Sequence, residues 1–167
     1  MHYHNLKSIH QQQVEEFMRQ AGQSVPNTLS VPNAKTRELR ARLILEECFE
    51  TISALGVTCY LNSMLDDGVY IDNSDFELIA DASVDINEVL DGCCDIAVVT
   101  TGTLSAFGVS DIEIQEAVNK SNMEKFIDGY KDEDGKWQKG PSWKAPELLE
   151  IVNNHARSYG ATSDING

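Results

Sequence analysis

Three carboxylates stand inside an otherwise apolar run at Arg42-Leu-Ile-Leu-Glu46-Glu47-Cys-Phe-Glu50-Thr51. A second run, Glu88 to Thr103, carries Glu88, Asp91 and Asp95 in the same kind of setting. A carboxylate among apolar neighbours is costly unless something positive meets it. Yet no Lys or Arg occurs between Leu43 and Asn119, where 16 Asp and Glu fall. Clustered carboxylates without a basic partner repel one another and attract metal cations. An all-oxygen donor set suits Mg²⁺ or Mn²⁺ rather than Zn²⁺. Metals held this way often act on phosphate, whose oxygens they neutralise and orient while generating a hydroxide nucleophile. Two or more ions are compatible with this many ligands, and the spacing leaves open which of Glu88, Asp91 and Asp95 hold them.

Other chemistries lack their residues. Ferritin-like di-iron bundles need Glu-x-x-His on two helices, and no histidine lies between His10 and His155. Asp128 to Lys139 has neither the ligand spacing nor the closing Glu of an EF-hand. Walker, Gly-x-Gly-x-x-Gly and Gly-x-Ser-x-Gly patterns are absent. His2, His4 and His10 have no neighbouring ligand at metal spacing and are read as an exposed N-terminus. Cys48, Cys93 and Cys94 fall in apolar helical patterns and are read, with Cys59, as reduced thiols, the first three buried.

The net charge of −14 opposes non-specific binding to nucleic acid or to an anionic membrane. Asp66, Asp67, Asp72, Asp75, Glu77 and Asp81 read as a solvated acidic surface. Six of the 13 basic residues are lysines between Lys120 and Lys144. These follow the acidic middle and are placed to complete a phosphate site. Asn122 and Lys125, at i and i+3 on one helix, are within reach of a phosphate or a base.

The elements that must position these groups are helices. At 167 residues the chain is expected to form one domain with a substantial core. Residues 5 to 21 show helical spacing of Ile9, Val14, Phe17, Met18 and Ala21, with Gly22 as the stop. Residues 22 to 34, with Pro26 and Pro32, form a loop. The second helix runs from Lys35 or Thr36 to Leu55, closed by Gly56. On it Glu46, Glu47 and Glu50 span about 100°. Leu39 and Leu43 share that arc, while Leu45, Phe49 and Ile52, and Ile44, Cys48 and Leu55, add apolar stripes. A helix apolar on most sides is a buried one, so the glutamates are expected to project into the interior or a cleft. The helical pattern extends through Val57 to Leu65, and 66 to 80 is a loop or a short extra element. The third helix spans Ala82 to Phe107, with Glu88, Asp91 and Asp95 within about 60° of one another, and it too reads as buried. Ser110 to Glu113 is a capping box opening a fourth helix to Phe126. Turns at Asp128-Gly129 and Asp134-Gly135 suggest a short hairpin, and Pro146 opens a last helix ending near Arg157. No apolar run reaches the roughly 18 residues of a membrane span. The N-terminus has no apolar signal core, so the expectation is a soluble, cytoplasmic protein.

In this order the motifs resemble those of the all-α nucleoside triphosphate pyrophosphohydrolases, the MazG-like and phosphoribosyl-ATP pyrophosphohydrolase-like superfamily. Glu46-Glu47-Cys-Phe-Glu50 is similar to that family's Glu-Glu-x-x-Glu, and Glu88-Val-Leu-Asp91 to its Glu-x-x-Asp. Ser121-Asn122-Met-Glu-Lys125 and Lys139-Gly-Pro-Ser-Trp143 resemble later motifs of one bacterial and phage branch. The resemblance covers residues 10 to 150. It implies an all-α fold with a four-helix-bundle-like core over about 5 to 127 and a lysine-bearing C-terminal extension over about 128 to 157. It also implies Mg²⁺-dependent (or Mn²⁺-dependent) cleavage of a nucleoside triphosphate between the α and β phosphates. Glu47, Glu50, Glu88 and Asp91 would then hold metal, with Asp95 next. Glu46 would be a further ligand or would orient and deprotonate the attacking water, making Glu46 and Glu47 the catalytic pair. Asn122, Lys125 and Lys139 would contact substrate, and a homodimer or homotetramer would complete the site. Three features depart from the pattern. The stretch from Thr51 to Asn87 is long for a helical hairpin and points to an inserted element. Asp95 is an extra carboxylate, and Val98 to Thr101 lack the aromatic residues found there in relatives. A phosphoribosyl-ATP or dUTP-specific relative, or a non-catalytic interaction protein on the same bundle, are the competing readings.

Overall fold

The computed structural model describes residues 7–61 and 75–158. Its elements are α1 (Ile9–Gln20), α2 (Ala34–Ala54), β1 (Val57–Leu61), β2 (Phe76–Ala80), α3 (Ile86–Ala106), α4 (Asp111–Asp128), β3 (Tyr130–Lys131), β4 (Trp137–Gln138) and α5 (Leu148–Ser158). The fold is mostly helical, as the periodicity requires, with two short two-stranded sheets among the described residues. The chain divides into two compact units. One holds Asn33–Thr100; the other holds the segments on either side, up to Pro32 and from Thr101.

In the flanking unit, α1 buries Gln11, Val14, Glu15 and Met18 on one face. Gln11, fully buried, holds a polar latch. Its Nε2 donates to Ser105 Oγ (3.0 Å) and to the Val109 carbonyl (2.8 Å), and its Oε1 accepts from the Asp111 amide (2.9 Å). Ser8 caps α1 by accepting from the Gln11 amide (3.0 Å) and donates its own amide and hydroxyl to the Asp111 carboxylate. Ser110 stands at the N-cap of α4, as expected, but its side chain makes no capping bond. The expected hairpin at 128–139 is present as β3 paired antiparallel with β4. Its turn is tied by Asp132, which accepts from the Lys136 amide (2.7 Å) and the Gln138 side chain (2.6 Å). His10 is half-buried rather than exposed, with its Nε2 shut away from solvent. His2 and His4 lie outside the described residues.

In the central unit, Asn33 caps α2 by accepting from the Thr36 amide (2.9 Å). Gly56 ends α2 in the left-handed region (φ 70°), as its position after Leu55 predicts. The helix does not continue through 57–65. Val57-Thr-Cys-Tyr-Leu is rich in β-branched and aromatic residues and forms β1, antiparallel to β2 with Val57 opposite Ala80 and Leu61 opposite Phe76. The insertion expected between Thr51 and Asn87 is this hairpin. It leaves and returns at one point: the Gly56 carbonyl accepts from the Asp81 and Ala82 amides (3.1 Å each), and the Ala54 carbonyl accepts from the Asp85 amide (2.9 Å). Asp85 then accepts from the Asn87 and Glu88 amides at the start of α3 (3.1 and 3.3 Å).

Burial differs from the sequence expectation. Leu45, Phe49 and Leu90 are 56%, 45% and 63% exposed. Only Arg40 and Thr51 of α2 are buried. Cys93 and Cys94 are exposed and Cys48 half-buried, all as free thiols. Helical periodicity identified faces that seek cover, and a single copy leaves them uncovered. Helix α3 is, by length and composition, long and apolar enough to cross a membrane. Three carboxylates along it oppose that, since an Asp at a bilayer centre costs about 2.5–3.5 kcal/mol.

Candidate functional site

Helices α2 and α3 meet at Thr51 and Gly92. Both residues are buried. The Thr51 hydroxyl donates to the Glu47 carbonyl one turn back (2.7 Å). A Cβ built on Gly92 would overlap the Thr51 Oγ1 and lie 3.2 and 3.3 Å from its Cβ and Cα. Only glycine fits, so the two backbones approach closely there. Around that crossing, the spacing places Glu47 and Glu50 just before Thr51 on α2, and Asp91 and Asp95 on either side of Gly92 on α3.

The electrostatics show that these carboxylates gather. The Glu47 carboxyl is pushed above its ordinary value, first by desolvation and then by Asp95, Glu50, Glu46 and Asp91 in that order. Glu47 and Asp95 are half-buried, whereas Glu46, Glu50, Glu88 and Asp91 are exposed. The expected projection into the interior therefore holds only for the half-buried pair. Glu88, a turn nearer the start of α3, is not among the groups that raise Glu47. Among the described residues, no group of three or more His, Cys, Asp or Glu stands in a metal-holding arrangement. The chain thus brings five of the six carboxylates into one repulsive cluster without setting them as a finished cage. The donor set fits a divalent cation: every donor is a hard oxygen, and the negative charge that adds to desolvation in lifting Glu47 is what such a cation would offset.

Asn122, Lys125 and Lys139 lie in the flanking unit. Lys125 Nζ donates to Asn122 Oδ1 (2.8 Å) on α4. Lys139, just after β4, places its Nζ 4.0 Å from the centre of the Trp143 ring. The Trp143 indole N–H donates to the Ser121 carbonyl (3.0 Å), and the Trp143 amide to the Gly140 carbonyl (3.2 Å). The 139–143 turn is fastened again where the Ser142 amide donates to Asp128 (2.9 Å). Phe126 on α4 meets Trp137 on β4 edge-on, with ring centres 4.8 Å apart. The two lysine-bearing motifs are thus one surface built on the C-terminal half of α4. A cavity between Lys120, Lys144 and Glu147 borders this surface, sharing Ser121 and Glu124 of α4, and an apolar one lies beside Leu104, Phe107 and Leu148. Sequence reasoning passed over Thr51, Gly92 and the anchoring role of Trp143. A glycine inside an apolar helical run was the available signal for the crossing.

A family model described as phosphoribosyl-ATP pyrophosphohydrolase matches residues 11–122. The match takes in both acidic helices and ends at Asn122. No curated protein matches the chain. The family's members are pyrophosphohydrolases, hydrolases acting on phosphoanhydride bonds, and typically depend on a divalent metal. The crossing of two carboxylate-bearing helices and the match over most of the chain lead to one conclusion: the chain belongs to the phosphoribosyl-ATP pyrophosphohydrolase family, in the MazG-like all-α superfamily, and its reaction is a nucleotide pyrophosphohydrolysis.

Proposed function

We propose that the chain is a Mg²⁺-dependent nucleoside triphosphate pyrophosphohydrolase that cleaves between the α and β phosphates, giving a nucleoside monophosphate and pyrophosphate. The observation that carries this reading is the cluster at the Thr51–Gly92 crossing, where desolvation first, and then four neighbouring carboxylates, raise the proton affinity of Glu47. Glu47, Glu50, Glu88, Asp91 and Asp95 would hold Mg²⁺ or Mn²⁺. When bound, the metal supplies charge neutralisation at the phosphates and a more acidic water. Glu46, exposed on the same turn, is a further ligand or takes a proton from the attacking water as general base. Asn122, Lys125 and Lys139 contact the substrate, their donors complementing phosphate oxygens. The exposed apolar positions Leu45, Phe49 and Leu90 on the acidic helices support a homodimer or homotetramer in which a second copy covers them. The acidic balance supports a partner set without nucleic acid or membrane, and a cytoplasmic location belongs to the same proposal.

The family description favours a second reading, phosphoribosyl-ATP as the substrate, with the same bond class cleaved. One panel separates the two. Pyrophosphate release is measured for ribo- and deoxynucleoside triphosphates and for phosphoribosyl-ATP, each with Mg²⁺, Mn²⁺ or excess chelator. Triphosphate cleavage that stops on chelation is expected. Cleavage of phosphoribosyl-ATP alone replaces the first reading with the second. Cleavage of none under either metal refutes both.

A further inference from the structure

We propose that Trp143 is a positioning residue that holds Lys139 for the phosphates of the bound nucleotide. The inference rests on the proposed contact between Lys139 and substrate, and it concerns residues beyond the matched segment. A lysine on a hairpin end has four rotatable bonds and no fixed direction. Here the ammonium lies 4.0 Å from the centre of the Trp143 ring, within the range of a cation–π attraction. The ring itself is fixed at its far edge. Its N–H donates to the carbonyl of Ser121 (3.0 Å), a buried residue next to Asn122. The backbone beneath is held as well. The Trp143 amide closes a turn on Gly140, the Ser142 amide donates to Asp128, and a side chain on Gly140 would strike Asp128. Lys139 is therefore directed by an indole whose orientation is set from α4, the helix that carries the bonded pair Asn122 and Lys125. Pre-orienting a cation before the ligand arrives lowers the entropy lost on binding. The exposed side of the ammonium stays open to an anion, since an aromatic face shields one side only.

The test is a double-mutant cycle on binding. The probe is a nucleoside triphosphate with a non-cleavable α,β-methylene bridge, titrated in Mg²⁺ by calorimetry. Trp143→Leu is expected to weaken binding about fivefold, the size of one exposed cation–π contact. In a Lys139→Met background the same change is expected to add almost nothing, because Trp143 acts through Lys139. Trp143→Phe keeps the ring face but loses the bond to Ser121, so about a twofold weakening is expected. It also keeps the test available if the Leu variant does not fold. The Lys139 side-chain methylene protons, shifted upfield by the ring in the wild type and in Trp143→Phe, should return to ordinary positions in Trp143→Leu. Equal weakening in both backgrounds, no weakening in the wild type, or a wild type that does not bind the probe overturns the inference. Hydrolysis is scored separately. A chain that binds the probe with this coupling yet cleaves nothing refutes only the enzyme reading. Cleavage without the coupling refutes only the role of Trp143.

Discussion

Gly92→Ala is the sharpest perturbation of the proposed metal site, because it touches no carboxylate. In a helix interior the change should help, since alanine is favoured over glycine by about 0.8–1 kcal/mol. The crossing opposes that gain. The new methyl would overlap the Thr51 Oγ1 and press on its Cβ and Cα at 3.2 and 3.3 Å. Thr51 is buried and its hydroxyl is bonded to the Glu47 carbonyl. Turning it away loses a hydrogen bond worth about 1 kcal/mol, and forcing the helices apart costs about 1–3 kcal/mol, as overpacking does. The net expectation is a loss of about 1 kcal/mol, a fall of roughly 2–4 °C in Tm for a protein of this size. Mn²⁺ binding, followed by electron paramagnetic resonance, should weaken as α2 and α3 separate. Thr51→Ala removes the nearest clashing atom, so the double variant should recover most of both losses. A Gly92→Ala chain that is more stable by the full propensity gain, with unchanged Mn²⁺ affinity, would refute the close crossing as the basis of the site.

Two further outcomes are expected. Glu47→Gln keeps the shape and removes the charge that desolvation and four neighbouring carboxylates disfavour. Differential scanning calorimetry should find the metal-free variant more stable than the wild type, with Mn²⁺ binding largely lost; equal Mn²⁺ affinity would remove Glu47 from the ligand set. The Asp132 carboxyl is held below its ordinary value, first by the Gln138 side chain, with the Lys136 and Asp134 amides also lowering it and desolvation opposing them. A depressed acid contributes stability above its unfolded value of about 3.9 and loses it as pH falls through the folded one. The hairpin should thus loosen only below about pH 4, read from the Lys136 amide and Gln138 side-chain amide resonances. Asp132→Asn should abolish that step, and a transition persisting in it would reassign the effect.

Much of the helical framework was legible in the sequence. The end of α2 followed from Gly56, whose backbone preference acts locally, whereas the start of α3, expected at Ala82, falls at Ile86. The strand at 57–61 was misread because an apolar, β-branched run after a helix carries no mark of its own period, and only pairing with 76–80 decides it. Burial was misread for a different reason. The stripes through Leu45, Phe49 and Leu90 describe what these faces prefer, not what lies against them. The gathering of Glu46, Glu47, Glu50, Asp91 and Asp95 was anticipated from residue types, yet what draws them together is Gly92, through the absence of a side chain. The Gln11 latch was invisible because a glutamine in a polar helix start has the same composition whether it faces water or a carbonyl. Likewise, the Lys139-Gly-Pro-Ser-Trp143 motif was visible as a motif, while the stacking of its first residue on its last needed the fold.

The hairpin that leaves α2 at Gly56 and rejoins at Ala82 works as a port in the chain. Because Ala54 and Asp85 are bonded at its base, the alignment of the two acidic helices is settled before the strands begin. Length added between β1 and β2 changes a closure cost that grows by only about 0.6 kcal/mol per doubling. The helical pair can therefore carry a different insert, or none, without its carboxylates changing register.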